Sequence, residues 1–165
     1  MQKSRSLAQN PDFDRQHFRR ALSQFPTGVT VVTSRLDDGT FFGLTASSFN
    51  SVSLDPPLVL WSLGNAAKSM PIFHENSHYV INVLGADQAA LAEQFASNKR
   101  DRFHGVAFSL SRTGLPILDG CSAWFECFNR SRYPEGDHVI FVGEVEQCAY
   151  APQEALIFHD GQFLK

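Results

Sequence analysis

Between Val29 and Ala46 the chain has room for little besides a β-hairpin. Val29-Thr30-Val31-Val32-Thr33 is β-branched throughout, and such side chains fit a pleated, buried surface. Asp38-Gly39 follows, a turn pair whose glycine supplies the positive φ of a tight reversal. Residues 40–46 then return as a strand in which Phe41, Phe42, Leu44 and Ala46 are apolar or small, so the first two strands pair antiparallel. More strand signals come in succession: 58–63, Tyr79 to Leu84, Ala107 to Ser111, Ser122 to Asn129, Val139 to Glu146 and Ala155 to His159. A polar loop from Arg130 to His138 joins two of them. Helical spacing is confined to three places. Phe18, Ala21, Leu22 and Phe25 mark a helix that Asp12 or Asp14 caps and Pro26 ends. A short helix spans Lys68 to Glu75 with Pro71 in its first turn. A third follows Asp87 through Ala90, Leu91, Gln94 and Phe95. Seven or eight strands without βα alternation specify a mainly β domain, a closed or split antiparallel barrel with two or three peripheral helices.

Composition narrows the functional classes. The 165 residues suffice for one domain with a sizeable core, preceded by a flexible arm over residues 1–12. The formal charge of −3 gives no basic face for nucleic acid or an anionic membrane. No apolar run approaches the roughly 20 residues of a membrane span, and the N-terminus has no apolar signal-peptide core, so a cytoplasmic location is expected. Cys121, Cys127 and Cys148 form no C-x-x-C pair and read as buried free thiols. Fifteen phenylalanines fill a core or present ring faces to a planar cofactor, and composition does not separate the two uses.

Residues 43–69 carry the first candidate site. Thr45, Ser47 and Ser48 follow an apolar strand; Ser62 and Gly64 end another; Lys68 and Ser69 stand at a helix start, where free amides and the helix dipole favour an anion. Hydroxyls, amides and a lysine beside Phe41, Leu44 and Phe95 suit an anionic ligand held against an apolar wall. A polar strand end with a routine surface lysine is the bland alternative. The second candidate is Gly136-Asp137-His138, where glycine admits a close ligand and His138 can stack, hydrogen-bond or move a proton; a plain turn competes. The charged connector Asn98-Lys99-Arg100-Asp101-Arg102 reads as solvated surface. His74 and His78 are four apart but lack the convergent partners of a metal site, so no metal is expected. There is no G-x-S-x-G elbow and no G-x-G-x-x-G turn.

The runs FRRALSQFPTGVTVVTS, GLTASSFNSVSLDPPLVLWSL, AKSM, YVINVL, LAEQFA, GLPILDGCSAWFEC, EGDHVIFVGEV and LIFHDGQF, in this order, resemble the short-chain flavin reductases, the reductase components of two-component flavin-dependent monooxygenases. The resemblance covers residues 13–164 and implies a single flavin reductase-like domain over 13–165. Its fold would be an FMN-binding, Greek-key antiparallel split β-barrel, and its assembly a homodimer. It also implies that NADH or NADPH reduces FMN or FAD by hydride transfer to flavin N5, and that reduced flavin passes to a separate oxygenase. By position, the flavin would meet Phe41, Phe42, Gly43, Leu44, Thr45, Ser47, Ser48, Ser62, Leu63, Gly64, Lys68, Ser69, Gln94 and Phe95. The nicotinamide would meet Gly136, Asp137 and His138, with His138 as the catalytic candidate. The arginines of the 130–135 loop leave open a contact with a 2′-phosphate, and hence NADPH. The alternative function is a flavin-retaining electron-transfer or binding protein of the same fold.

Overall fold

The computed structural model describes residues 11–164. Most of the expected arm lies outside the described residues. Helix α1 (Arg15–Ser23) opens at Asp14, whose carboxylate accepts from the His17 amide at 2.7 Å. Strands β1 (Thr27–Gly28), β2 (Thr30–Arg35), β3 (Phe41–Ala46), β4 (Asn50–Leu54) and β5 (Pro57–Gly64) follow. Next come α2 (Met70–Glu75), β6 (His78–Val83), α3 (Ala89–Ala96), β7 (Phe108–Leu110) and β8 (Pro116–Leu118). The chain ends with β9 (Ala123–Glu135), β10 (His138–Tyr150), β11 (Ile157–His159) and β12 (Gln162–Leu164).

Seven strands form one antiparallel sheet in the order β3-β2-β6-β9-β10-β5-β4. β3 and β4 are consecutive in the chain yet lie at opposite edges, so the sheet must curl for the short 47–49 connector to join them. Ser48 pins that closure: its hydroxyl accepts from the Ser62 amide at 2.9 Å and lies 3.2 Å from the Ser62 carbonyl. The result is the split antiparallel barrel expected from the strand order.

β2 explains why a β-branched run reads as continuous rather than alternating. Both of its faces are covered. Val32 points into the barrel with Leu44, Trp61, Phe73, Ile81 and Phe141. Val29 and Val31 lie under a second cluster of Leu84, Ala92, Phe95, Leu118 and Leu156. Inside the barrel, Trp61 stacks on Phe141 at 4.8 Å and meets Phe73 edge-on at 5.0 Å. Phenylalanine is used mainly as filler here.

The structure corrects several sequence expectations. The polar loop from Arg130 to His138 is a hairpin: β9 runs to Glu135, β10 starts at His138, and only Gly136-Asp137 turn. The hairpin projects beyond the core, so residues 133–138 are exposed and carry no burial alternation to betray a strand. Its arginines are engaged locally. Arg130 pairs with Glu144 at 3.1 Å, and Arg132 donates to the carbonyls of Asn129 and Asn76. Both arginines therefore have partners within the protein. β1, β4, β8 and β12 are additional strands, and α3 is preceded by Gln88 rather than capped by Asp87. Of the three free cysteines only Cys127 is buried; Cys121 is half-buried and Cys148 exposed.

Candidate active site

A cavity of about 680 Å³ opens between β3, the end of β5, and the segments that follow β5 and α3. Phe42 and Leu44 of β3 and Leu63 of β5 form its apolar side, and Phe95, itself fully buried, backs the wall. Placing Phe95 there depends on Gly43. A Cβ on Gly43 would stand 2.8 Å from the Phe95 ring, so only glycine lets α3 lie this close to β3. Thr45 fastens the same contact by donating its hydroxyl to the Ala92 carbonyl at 2.6 Å.

Cations rim the other side. Lys68 comes from the turn before α2; Lys99, Arg100 and Arg102 come from the connector after α3. The connector is therefore not merely solvated surface, as its sequence suggests. Gln94 folds it inward: its side-chain amide donates to the carbonyls of Arg102 at 2.7 Å and His104 at 3.0 Å. Arg102 in turn donates to the Gly43 carbonyl at 2.9 Å and lies over the Phe42 ring, 5.4 Å from its centroid. Partial burial pulls the Arg102 guanidinium below its usual range, yet an arginine keeps its charge in such a setting. Ser69 lies buried at the cavity edge and makes no side-chain capping bond to α2, so its hydroxyl is available to a ligand. An apolar slot with a cationic rim and one free buried hydroxyl fits a flat aromatic ring carrying a phosphate.

The expected residues divide into groups. Phe42, Leu44, Thr45, Leu63, Lys68, Ser69 and Phe95 all border this cavity. Phe41 and Gly43 border a smaller adjoining hollow of about 100 Å³ shared with Arg100 and Arg102. Phe41 packs edge-on to Phe108 at 5.3 Å. Ser48 and Gln94 spend their side chains on protein contacts, and Ser62 contributes its backbone to the barrel closure. Ser47 is exposed at the end of β3. Lys99, Arg100 and Arg102 were missed because nothing in the sequence tells a folded-back cationic connector from a solvated one.

Gly64 ties the cavity to the second candidate, because its Cα pairs with that of His138 across the β5–β10 ladder. Asn65 holds the hairpin tip in place: its amide donates to the Asp137 carbonyl at 2.9 Å and its side chain to the Gly136 carbonyl at 3.5 Å. Gly136 sits at φ 60°, where glycine is favoured. The His138 ring lies over Gly64, with Nε2 3.8 Å from where a Cβ would be. Nδ1 of His138 meets the Asp137 carboxylate at 2.6 Å. That hydrogen bond and the histidine's charge, in this order, hold the Asp137 carboxyl below its usual range.

Fold and cavity define a split barrel whose apolar slot, rimmed by cations, lies beside a hairpin histidine. Residues 22–165 match the family described as "Flavin reductase like domain". The chain belongs to that family. It is 44% identical over 146 residues to the FMN reductase (NADH) SmoA of Agrobacterium fabrum, covering 88% of this chain and 83% of that one. It is 38% identical over 158 residues to an NADH-dependent flavin reductase of Rhodococcus, covering 93% and 88%. The solved structure of the Streptomyces globisporus NADH:FAD oxidoreductase SgcE6, in complex with NAD and FAD fragments, superposes with a TM-score of 0.88 at 39% identity over 92% of each chain.

Proposed function

We propose that the cavity between Phe42, Leu63 and Arg102 holds FMN or FAD, that NADH or NADPH docks at Gly136-Asp137-His138, and that the reduced flavin serves a separate monooxygenase. The chain is an NAD(P)H:flavin oxidoreductase by family. The observation that carries the site assignment is the adjacency of an apolar slot with a cationic rim to a histidine braced on the strand forming the slot's wall. Bound flavin supplies the hydride acceptor, which no amino-acid side chain offers.

The chain's own residues bind and orient. Phe42, Leu44 and Leu63 exclude water from one side of the slot. Lys68 and Ser69 would take the phosphate at one end, with Lys99, Arg100 and Arg102 spreading positive charge along the rim. In the neutral ring, an Nδ1 proton held by the acceptor-only Asp137 carboxylate leaves Nε2 over Gly64 free to accept from a carboxamide. Rate enhancement then comes mainly from alignment of two bound ligands. A cavity open enough to leave the lysines on its rim exposed also suits a flavin that must leave to reach an oxygenase.

Two further features belong to this reading. α1 has no buried residue among its nine; Phe18 and Leu22 lie exposed on it, and Phe25 lies exposed just beyond its end. A homodimer gives that stripe a partner. No helix among the described residues is long and apolar enough to cross a membrane, which agrees with a cytoplasmic enzyme.

The test is NADH or NADPH consumption with free FMN or FAD in large excess over protein. Many turnovers per protein molecule support the reductase. Tight stoichiometric flavin with no turnover on either nicotinamide would instead make it a flavin-retaining module.

A further inference from the structure

The Asp137 carboxylate is shared. Its Oδ1 meets Nδ1 of His138 at 2.6 Å, and its Oδ2 lies 3.5 Å from a guanidinium nitrogen of Arg15. Arg15 is the first residue of α1, 122 positions earlier in the chain. The two Asn65 contacts hold the hairpin backbone but leave the Asp137 side chain free to turn. At 72% exposure on a hairpin tip, that carboxylate would rotate unless a second partner held its other oxygen. We propose that Arg15 is a positioning residue for the hydride donor, acting through Asp137 to fix the His138 ring over Gly64. This rests on the reading of 136–138 as the nicotinamide seat.

α1 is well placed for such a role. Its far end is held to the β11–β12 turn, where Ser23 donates its hydroxyl to Asp160 at 3.2 Å and the Asp160 amide donates to the Ser23 carbonyl at 3.0 Å. None of its side chains is buried in its own barrel. The Arg15–Asp137 pair is thus a side-chain link between the near end of α1 and the barrel. A hollow of about 600 Å³ between α1 and the β11–β12 turn, lined by Arg15, Arg19 and Arg20, offers the competing explanation: direct contact of Arg15 with a phosphate of the nicotinamide cofactor.

A double-mutant cycle of Arg15→Ala and Asp137→Asn separates these, read as KM for NADH in steady-state turnover with excess FMN, alongside the flavin Kd. Because the pair is exposed, Arg15→Ala should raise KM by about three- to fivefold, and less in high salt. The flavin Kd should stay within about twofold, and Arg15→Lys should restore most of the KM. In the Asp137→Asn background, Arg15→Ala should add nothing, because the relay is already cut. An unchanged KM in Arg15→Ala overturns the proposal, as does an undiminished effect in the Asp137→Asn background, which assigns Arg15 to direct contact. Absence of turnover in the wild type would overturn the reductase reading itself, a distinct failure.

Discussion

Lys68 and Arg102 reach one cavity from different segments of the chain, and their surroundings predict different losses. Lys68 is exposed and holds nothing else in place, so Lys68→Ala should weaken flavin binding by roughly tenfold, about 1.4 kcal/mol, with little change in Tm. Arg102 also bonds the Gly43 carbonyl and covers Phe42, so Arg102→Ala should lower both flavin affinity and Tm. Fluorescence titration and thermal melts check both. Unequal burial likewise sorts the thiols. Burial pushes the Cys121 thiol up to about 12, and Cys127 is raised further, mainly by desolvation. A raised thiol pKa keeps the reactive thiolate scarce at neutral pH, so alkylation should reach Cys148 alone in native protein. Labelling of Cys121 should rise only as pH approaches its raised value; rapid labelling of all three near neutrality would contradict this. At this scale the sequence was partly legible. Thr45 stands near the end of an apolar strand and Lys68 and Ser69 at a helix start, so these three could be named from position. Lys99 to Arg102 could not, because the two Gln94 hydrogen bonds that fold them inward are tertiary.

Elements place these residues by close approach, and glycines mark where it is closest. A Cβ on Gly143 would stand 2.6 Å from the Tyr79 hydroxyl and 2.8 Å from the Cys127 Cβ, both buried. Gly143→Ala should therefore cost about 1–3 kcal/mol in denaturant unfolding without altering the flavin Kd. Gly43→Ala should do both, because Phe95 is the atom group it displaces. Strands with a buried face, such as β2, β3, β5 and β6, were readable from their apolar runs. β4 was not, since four of its five residues are exposed, nor was the outer part of the β9–β10 hairpin, where neither face meets the core. There the backbone ladder alone makes the strand, and side-chain pattern says nothing about it.

For the molecule as a whole, two things follow from a barrel that leaves α1 unspent. A homodimer should be seen by light scattering, and Leu22→Asp with Phe25→Asp should shift it toward monomer; a monomeric wild type would contradict the dimer. The barrel itself was legible from strand succession, whereas its closure through Ser48 and Ser62 depends on a 14-residue separation no local pattern encodes. In the proposed division of labour, the β3–β5 cavity holds flavin and the β9–β10 hairpin seats its reductant. Steady-state kinetics of His138→Ala, with flavin affinity measured on the same protein, tests it most directly. The KM for the nicotinamide should rise by about tenfold, equivalent to about 1.4 kcal/mol, while the flavin Kd stays within about twofold. An unchanged nicotinamide KM, or a flavin Kd that rises as far as the KM, would contradict that division.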